Sequence, residues 1–67
     1  MSEQYRKWFK EDEIKPGQVW SSCDGAGIKV TVVECKNNLV KYTWKERGET
    51  REHEKTVFNF QVRYYLE

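Results

Sequence analysis

Residues 56–66 read TVFNFQVRYYL, and more than any other stretch they decide the fold that the sequence predicts. Phe58, Phe60, Val62, Tyr64 and Leu66 share one parity, while most residues between them are polar. A repeat of two residues is typical of a β-strand that buries one face. The stretch therefore predicts a core strand at the end of the chain and a mainly β fold.

Two more strands are predicted upstream, on either side of Asn37 and Asn38. Residues 28–35 and 39–45 are rich in β-branched and aromatic side chains. Asn tolerates the positive φ that both central positions of a two-residue hairpin turn require. This turn predicts a register that starts with Lys36 opposite Leu39. On one face it sets Cys35 opposite Val40, Val33 opposite Tyr42 and Thr31 opposite Trp44. On the other face it sets Glu34 opposite Lys41.

Charged residues dominate the next predicted strand, residues 50–56. We expect it to follow a three-residue loop in which Gly48 takes the left-handed position. Residues 51–55 read REHEK and include no apolar side chain, which is typical of an edge strand that charge protects from aggregation. The register stays open by one residue. After a three-residue loop, the residues on the face of Trp44 are Thr50, Glu52 and Glu54; after a two-residue turn, they are Arg51, His53 and Lys55.

The N-terminal part of the chain predicts a helix and then a turn. Tyr5, Trp8 and Phe9 have the spacing i, i+3, i+4, so residues 2–12 predict a short amphipathic helix. So short a helix needs to dock on the sheet, and the alternative is a frayed tail. Pro16 and Gly17 then predict a turn into a first strand at residues 18–21. The chain divides into residues 1–13, a helix or tail, and residues 14–67, a small β-barrel domain.

Five short antiparallel strands joined by tight turns predict a small, partly open barrel of the SH3-like type, with a short N-terminal helix. A curved sheet of three or four strands, covered by that helix, is the alternative. Both arrangements place the same residues in or near the core: Val19, Trp20, Val30 or Val33, Val40, Tyr42, Phe58, Phe60, Val62 and Tyr64.

The order of these segments resembles short uncharacterised proteins encoded by enterobacterial phages and prophages. The residues that carry the resemblance are IKPGQVW at 14–20, a glycine-bearing loop, KVTVV at 29–33 and an aromatic-rich end. It covers residues 14–66. The resemblance implies an origin in a bacterial virus and a setting in the cytoplasm of the host cell, and it brings no assigned activity or site. The resemblance therefore implies a small accessory protein that binds a host factor or nucleic acid.

Composition weighs against several classes of function. The net charge is +1 although 34% of the residues are charged, so the chain lacks the field that drives unspecific nucleic-acid binding. The sequence contains neither an 18-residue apolar run nor a secretory leader, which predicts a soluble, intracellular protein without a membrane partner.

Three residues could carry metal or catalytic chemistry: Cys23, Cys35 and His53. Zinc would need further ligands, so we expect no metal, no cofactor and two reduced thiols, with Cys23 exposed in a loop and Cys35 packed in a strand. A cysteine nucleophile with His53 as base is conceivable, but no motif supplies a third group to orient the histidine. The sequence therefore predicts a protein that is not an enzyme.

We interpret the chain as a non-enzymatic protein-binding module that acts on a host protein. Aromatic and arginine side chains are the usual anchors of interfaces. The predicted surface consists of Tyr42, Trp44, Arg47, Arg51, Arg63 and Tyr65. The alternative is a module that binds single-stranded nucleic acid or regulates DNA, since small barrels bind single strands with rings and cations. Homodimerisation through the edge strand or the N-terminal rings falls within the first interpretation.

Overall fold

The computed structural model describes residues 8–25 and 27–66. Within these ranges a 3-10 turn, Glu11–Glu13, precedes five strands and one helix: β1 (Val19–Ser22), β2 (Lys29–Lys36), β3 (Leu39–Glu46), β4 (Glu49–Thr56), α1 (Val57–Arg63) and β5 (Tyr64–Leu66). All strand pairs are antiparallel, in one sheet of order β4-β3-β2-β1-β5. The mainly β prediction is confirmed. The sheet is open, so an SH3-like barrel is not confirmed, and the helix lies near the C-terminus and not at the N-terminus.

The strand predicted over residues 56–66 is wrong for most of its length, because Val57–Arg63 is the helix α1. Thr56 caps this helix, and its hydroxyl oxygen accepts a hydrogen bond from the backbone N–H of Asn59 at 3.2 Å. The helix buries one face, which consists of Val57, Phe60 and Gln61. Their spacing, i, i+3, i+4, is that of a helix packed on a core.

Helix α1 also changes which side chains of this stretch are buried. Phe58 is 64% exposed and Val62 is 49% exposed, so their predicted place in the core is wrong. Phe60 is fully buried, as predicted, and Tyr64 is half-buried. A strand does form at the very end, where β5 pairs with β1 and sets Leu66 opposite Trp20.

The β2–β3 hairpin confirms the predicted turn and half of the predicted register. Asn37 and Asn38 have φ values of 54° and 65°. The predicted pairs hold from Lys36 and Leu39 up to Glu34 and Lys41. A bulge at Val33 then shifts the register, so the next pairs are Val32↔Tyr42 and Thr31↔Thr43. The bulge turns Val33 outward to 43% exposure, and Val32 takes the core position instead.

Strand β4 lies at the edge of the sheet, as its charges predict. The turn before it has two residues, Arg47 and Gly48, with φ values of 54° and 81°, instead of the expected three-residue loop. The face that β4 shares with Val40, Tyr42 and Trp44 therefore consists of Lys55, His53 and Arg51. This is the second of the two registers that the sequence left open.

The core lies between the inner face of the sheet and α1. Its buried members are Ile14, Trp20, Val30, Val32, Val40, Tyr42, Val57 and Phe60. Phe60 joins two strands, with its ring centroid 4.9 Å from that of Trp20 and 5.0 Å from that of Tyr42. Val19, predicted to be buried, is 39% exposed because it lies on the other face of β1 from Trp20.

The N-terminal helix predicted for residues 2–12 is not found in the described part of that range. Residues 8–10 are irregular and only Glu11–Glu13 turn, while residues 2–7 lie outside the described range. The segment nevertheless docks on the core, because the ring of Phe9 packs edge-on against Trp20 at 5.3 Å. Gln61 fixes it further: its amide accepts from the Phe9 N–H at 2.7 Å and donates to the Phe9 carbonyl at 2.9 Å.

Candidate functional site

The six residues of the predicted surface do not form one patch. Tyr42 is 1% exposed and belongs to the core, which is a correction to the prediction. Trp44 and Arg51 are cross-strand neighbours, and Arg47 lies in the turn that joins their strands. Arg63 ends α1, and Tyr65 lies in β5 at the opposite edge of the sheet.

Tyr42 makes a structural contribution through its hydroxyl as well as its ring. The ring centroids of Tyr42 and Tyr64 are 5.5 Å apart, and their side chains share a hydrogen bond. Burial and then the neighbouring Tyr64 raise the pKa of Tyr42 above its ordinary value, while Arg63 acts in the opposite direction. Tyr42 therefore stays neutral and supports β5 from β3.

A groove opens where β2 and β3 separate. Their ladder ends at Thr31↔Thr43, beyond which β2 pairs with β1 and β3 pairs with β4. The space between the separated ends measures about 530 Å³ and is lined by Gly27, Ile28, Lys29, Trp44, Lys45, Glu46 and Tyr64. We call this space the splay groove. It combines two aromatic rings with two lysines and one carboxylate.

Two of the cations at or beside the splay groove already have polar partners. The Arg51 guanidinium lies 3.5 Å from Glu46 and 3.5 Å from Glu49. Lys29 donates to the hydroxyl of Ser21 at 3.2 Å. Arg51 is thus already engaged with two acids, which reduces its attraction for a phosphate.

A second surface is formed by α1 and the N-terminal segment. The rings of Trp8 and Phe58 stack with their planes 9° apart and their centroids 5.7 Å apart, and both are at least half exposed. Val62 follows Phe58 by four residues and therefore lies on the same side of the helix. We call Trp8, Phe58 and Val62 the aromatic patch. Beside it is a depression of about 390 Å³, lined by Cys23, Asp24, Val62 and Arg63.

Sequence reasoning missed the aromatic patch because it gave Phe58 and Val62 to a strand core. A helix was also readable, since Val57, Phe60, Gln61 and Tyr64 follow the spacing i, i+3, i+4, i+7. The polar Gln61 interrupts this pattern when only apolar residues are counted. Thr56 immediately before the stretch was the cap signal that favoured a helix.

The thiols and the histidine do not form a catalytic group within residues 8–25 and 27–66. Cys23 is exposed and Cys35 is half-buried, as expected. Burial and then the charge of Glu11 raise the pKa of Cys35, which disfavours its thiolate. In those ranges no hydrogen bond joins His53 to either sulfur, and no three His, Cys, Asp or Glu side chains cluster as metal ligands.

Two further findings bear on the type of protein. No helix in the described part of the chain is long and apolar enough to cross a membrane. The chain matches no protein-family model, no curated protein and no solved structure in the comparisons made. The resemblance to phage proteins over residues 14–66 therefore stays a prediction, and the surfaces described above are the guide to function.

Proposed function

We propose that this protein is a non-enzymatic binding module that docks on another protein through the aromatic patch. The partner is a protein of the bacterial host, in line with the resemblance to phage and prophage accessory proteins, and binding takes place in the cytoplasm. An assignment of the open sheet to the SH3-like type of small, partly open barrel is part of the same proposal. The observation that carries it is the stacked pair of Trp8 and Phe58 in contact with solvent.

The composition of the aromatic patch supports a protein partner. Interface cores are enriched in aromatic residues, and rims are polar and often include arginine. Phe58 and Trp8 supply adjacent rings, and Val62 extends the apolar area towards Arg63 and Asp24. Arg63 was one of the residues predicted for partner binding, and it lines the depression beside the aromatic patch. A partner with an apolar pocket flanked by an acidic side chain would complement this arrangement.

The ordered position of its rings is a second reason to propose the aromatic patch as the binding surface. Phe58 is held by helix α1, and Trp8 is next to Phe9, whose backbone bonds twice to Gln61. Anchors that are already ordered lose little side-chain entropy on binding. The patch is therefore largely preorganised.

The experiment is a pull-down from host lysate with the wild-type chain, Phe58→Ala and the control Val33→Ala. Val33 is also an exposed apolar residue, at 43%, but it lies at the bulge of β2. We expect one protein to be captured by the wild type and Val33→Ala and lost with Phe58→Ala. The captured protein is then purified, and its affinity for the three chains is measured directly.

Other results would reject the proposal. Equal capture by Phe58→Ala and wild type would show that the aromatic patch is not the binding surface. Concentration-dependent sedimentation that Phe58→Ala abolishes would identify a second copy of the chain as the occupant of the patch. Capture that nuclease treatment removes would favour a nucleic acid.

The splay groove favours a second candidate function, the binding of single-stranded nucleic acid. Trp44 and Tyr64 offer rings on which a base could stack, and Lys29 and Lys45 lie beside them. The nearby Glu46 and the engagement of Arg51 oppose it. We therefore predict weak binding of single-stranded DNA or RNA at physiological salt. Tight binding with a steep salt dependence, lost in Trp44→Ala and kept in Phe58→Ala, would make this the function instead.

A further inference from the structure

Strand β4 is a long edge without the usual structural protection. It pairs with β3 over all eight of its residues, without a register shift. Natural edge strands are commonly short, bulged or interrupted by proline, because a free edge is a template for another strand. β4 has none of these features, and no strand of the described chain pairs with its free edge, the edge that faces away from β3. Within the part of the chain that the structure describes, charge is the protection that β4 has.

From Arg51 to Lys55, the charges of β4 are separated by face. The register with β3 puts Arg51, His53 and Lys55 on the inner face, opposite Trp44, Tyr42 and Val40. The outer face carries the two carboxylates Glu52 and Glu54. The inner face of β4 also carries Glu49, which lies 3.5 Å from the Arg51 guanidinium, so this face holds the cations Arg51 and Lys55 with one carboxylate, whereas the charged residues of the outer face within β4 are both carboxylates.

Separated charges make β4 a poor partner for a second β4. When two copies pair about a two-fold axis normal to the sheet, residues of equal parity face each other. The register centred on His53 puts Arg51 opposite Lys55 and Glu52 opposite Glu54. The register centred on Glu52 puts that carboxylate opposite itself, although it also sets Glu49 opposite Lys55. Both registers set like charges directly opposite, which is destabilising.

A different strand could satisfy both faces. Across the outer face the register sets Glu34 of β2 opposite Lys41 of β3, and Lys41 opposite Glu54 of β4, so acid, base and acid alternate from strand to strand. A basic residue on an added strand would continue the alternation. A depression of about 190 Å³ lies over this face and is lined by Glu34, Lys36, Asn37, Leu39, Lys41 and Glu54. Lys36 already pairs with Glu34 at 3.1 Å, and the part of the depression at Glu54 gives a long cation room at the edge.

We propose that β4 accepts an extended segment of a partner protein as a sixth strand, with basic residues on the outer face of the sheet and acidic residues on the inner face. The acidic residues would lie opposite Arg51, His53 and Lys55. Main-chain hydrogen bonds would supply the attachment, and the alternation of charge would set register and selectivity. This surface is separate from the aromatic patch, so the inference does not depend on the proposed function.

The test uses a capped eight-residue peptide of alternating lysine and glutamate, as long as β4. A peptide of the same composition with its lysines and glutamates in two blocks is the control. Backbone amide resonances of the full chain are followed during titration, and amide exchange is then measured. We expect the alternating peptide to bind with Kd of about 1 mM or tighter, to shift the amides of β4 and to slow their exchange.

A paired exchange of charge on the protein separates this mode from general electrostatics. Glu54→Lys combined with Lys55→Glu keeps composition and net charge but puts a base on the outer face and a second acid on the inner face of β4. We expect it to weaken binding of the alternating peptide about tenfold. Arg51→Glu combined with Glu52→Arg repeats the exchange at another point of the strand, in case the first variant is not folded.

Three results would each overturn the inference. One is the absence of binding by the alternating peptide at about 1 mM. The second is equal binding of the blocked peptide or of the charge-exchanged variant. The third is a set of shifted amides that lies outside β4 and its neighbour β3.

Discussion

Gln61 shows how one polar residue can organise a small core. It is 2% exposed, and its amide group satisfies both the N–H and the carbonyl of Phe9 while also donating to the carbonyl of Val57 at 3.3 Å. A buried polar group is tolerated only when its hydrogen bonds are made. The geometry that Gln61 offers to Phe9 is similar to that of a neighbouring strand. The side chain therefore replaces a piece of backbone pairing.

Replacing Gln61 by methionine tests this role. The variant keeps the length of the side chain but leaves the backbone groups of Phe9 without their partners. We expect it to lose about 1–3 kcal/mol of the free energy of unfolding, measured by urea denaturation. The exchange of the Phe9 amide should accelerate by more than that of the strands. Unchanged stability would show that water replaces the side chain at no cost.

Tyr42 predicts how stability depends on alkaline pH. Its pKa is raised in the folded state, above the ordinary 10.0, by burial and then by Tyr64. The neutral phenol is thus favoured by folding, so its contribution is complete below the ordinary pKa and is lost as pH rises through the folded pKa. We expect the melting temperature to fall above about pH 10. Phenylalanine at this position cannot ionise, so the melting temperature of Tyr42→Phe should fall less steeply over the same pH range. Parallel curves of melting temperature against pH for the variant and the wild type would contradict this.

At the level of elements, residues 57–63 show the limit of what sequence periodicity can predict. The turn at Asn37 and Asn38, the edge position of β4 and the mainly β class were all predicted, because each rests on a local backbone preference or on charge. The helix α1 was not predicted. The alternation of Phe58, Phe60 and Val62 indicates a strand, and the helical spacing of Val57, Phe60 and Gln61 is present in the same residues. Tertiary packing decided between the two periods.

The bulge in β2 is the second element that could not be predicted. It adds one residue to β2 relative to β3, and it exchanges the roles of Val32 and Val33. Valine occupies both positions, so hydrophobicity alone could not say which one faces the core.

The predicted surface residues also depended on which secondary structure and register the chain adopts. Trp44, Arg51, Arg63 and Tyr65 were predicted and prove accessible to different degrees, whereas Phe58 and Val62 emerged only with α1.

Two phenylalanine variants distinguish a helix from a strand at residues 57–63. Phe60→Ala should cost about 3–5 kcal/mol, enough to unfold a domain of this size, because Phe60 is fully buried. Phe58→Ala should cost less than about 1 kcal/mol, since the side chain is 64% exposed and alanine favours helix. A strand with the predicted alternation would make both variants costly. Thermal unfolding of the pair, followed by circular dichroism, decides.

For the whole molecule, apolar and aromatic packing on one open sheet accounts for the fold. Among residues 8–25 and 27–66, eight buried hydrophobic residues form one cluster, and rings from the N-terminal segment, β1, β3, α1 and β5 meet in it. A domain of this length can fold on such a core without a metal or a disulfide. The free thiols of Cys23 and Cys35 are consistent with that.

The fold should therefore be indifferent to reductant and to chelator. We expect the far-ultraviolet circular dichroism spectrum and the melting temperature to stay the same when either reagent is added. The control is the same measurement on Cys35→Ala, which tests packing of the half-buried side chain separately from its redox chemistry. Loss of structure on treatment with either reagent would contradict the prediction.

The three tryptophans lie in three different environments, so their intrinsic fluorescence can report on binding without a label. Trp20 is shielded from water, Trp44 lines the splay groove and Trp8 is half exposed on its stack with Phe58. Red-edge excitation would select the solvated indole of Trp8, whose emission should move to shorter wavelength when a partner covers it. A ligand in the groove would instead change the emission of Trp44. A strand added at β4 would leave the emission of Trp8 unchanged, so unlabelled protein can report which surface has been occupied.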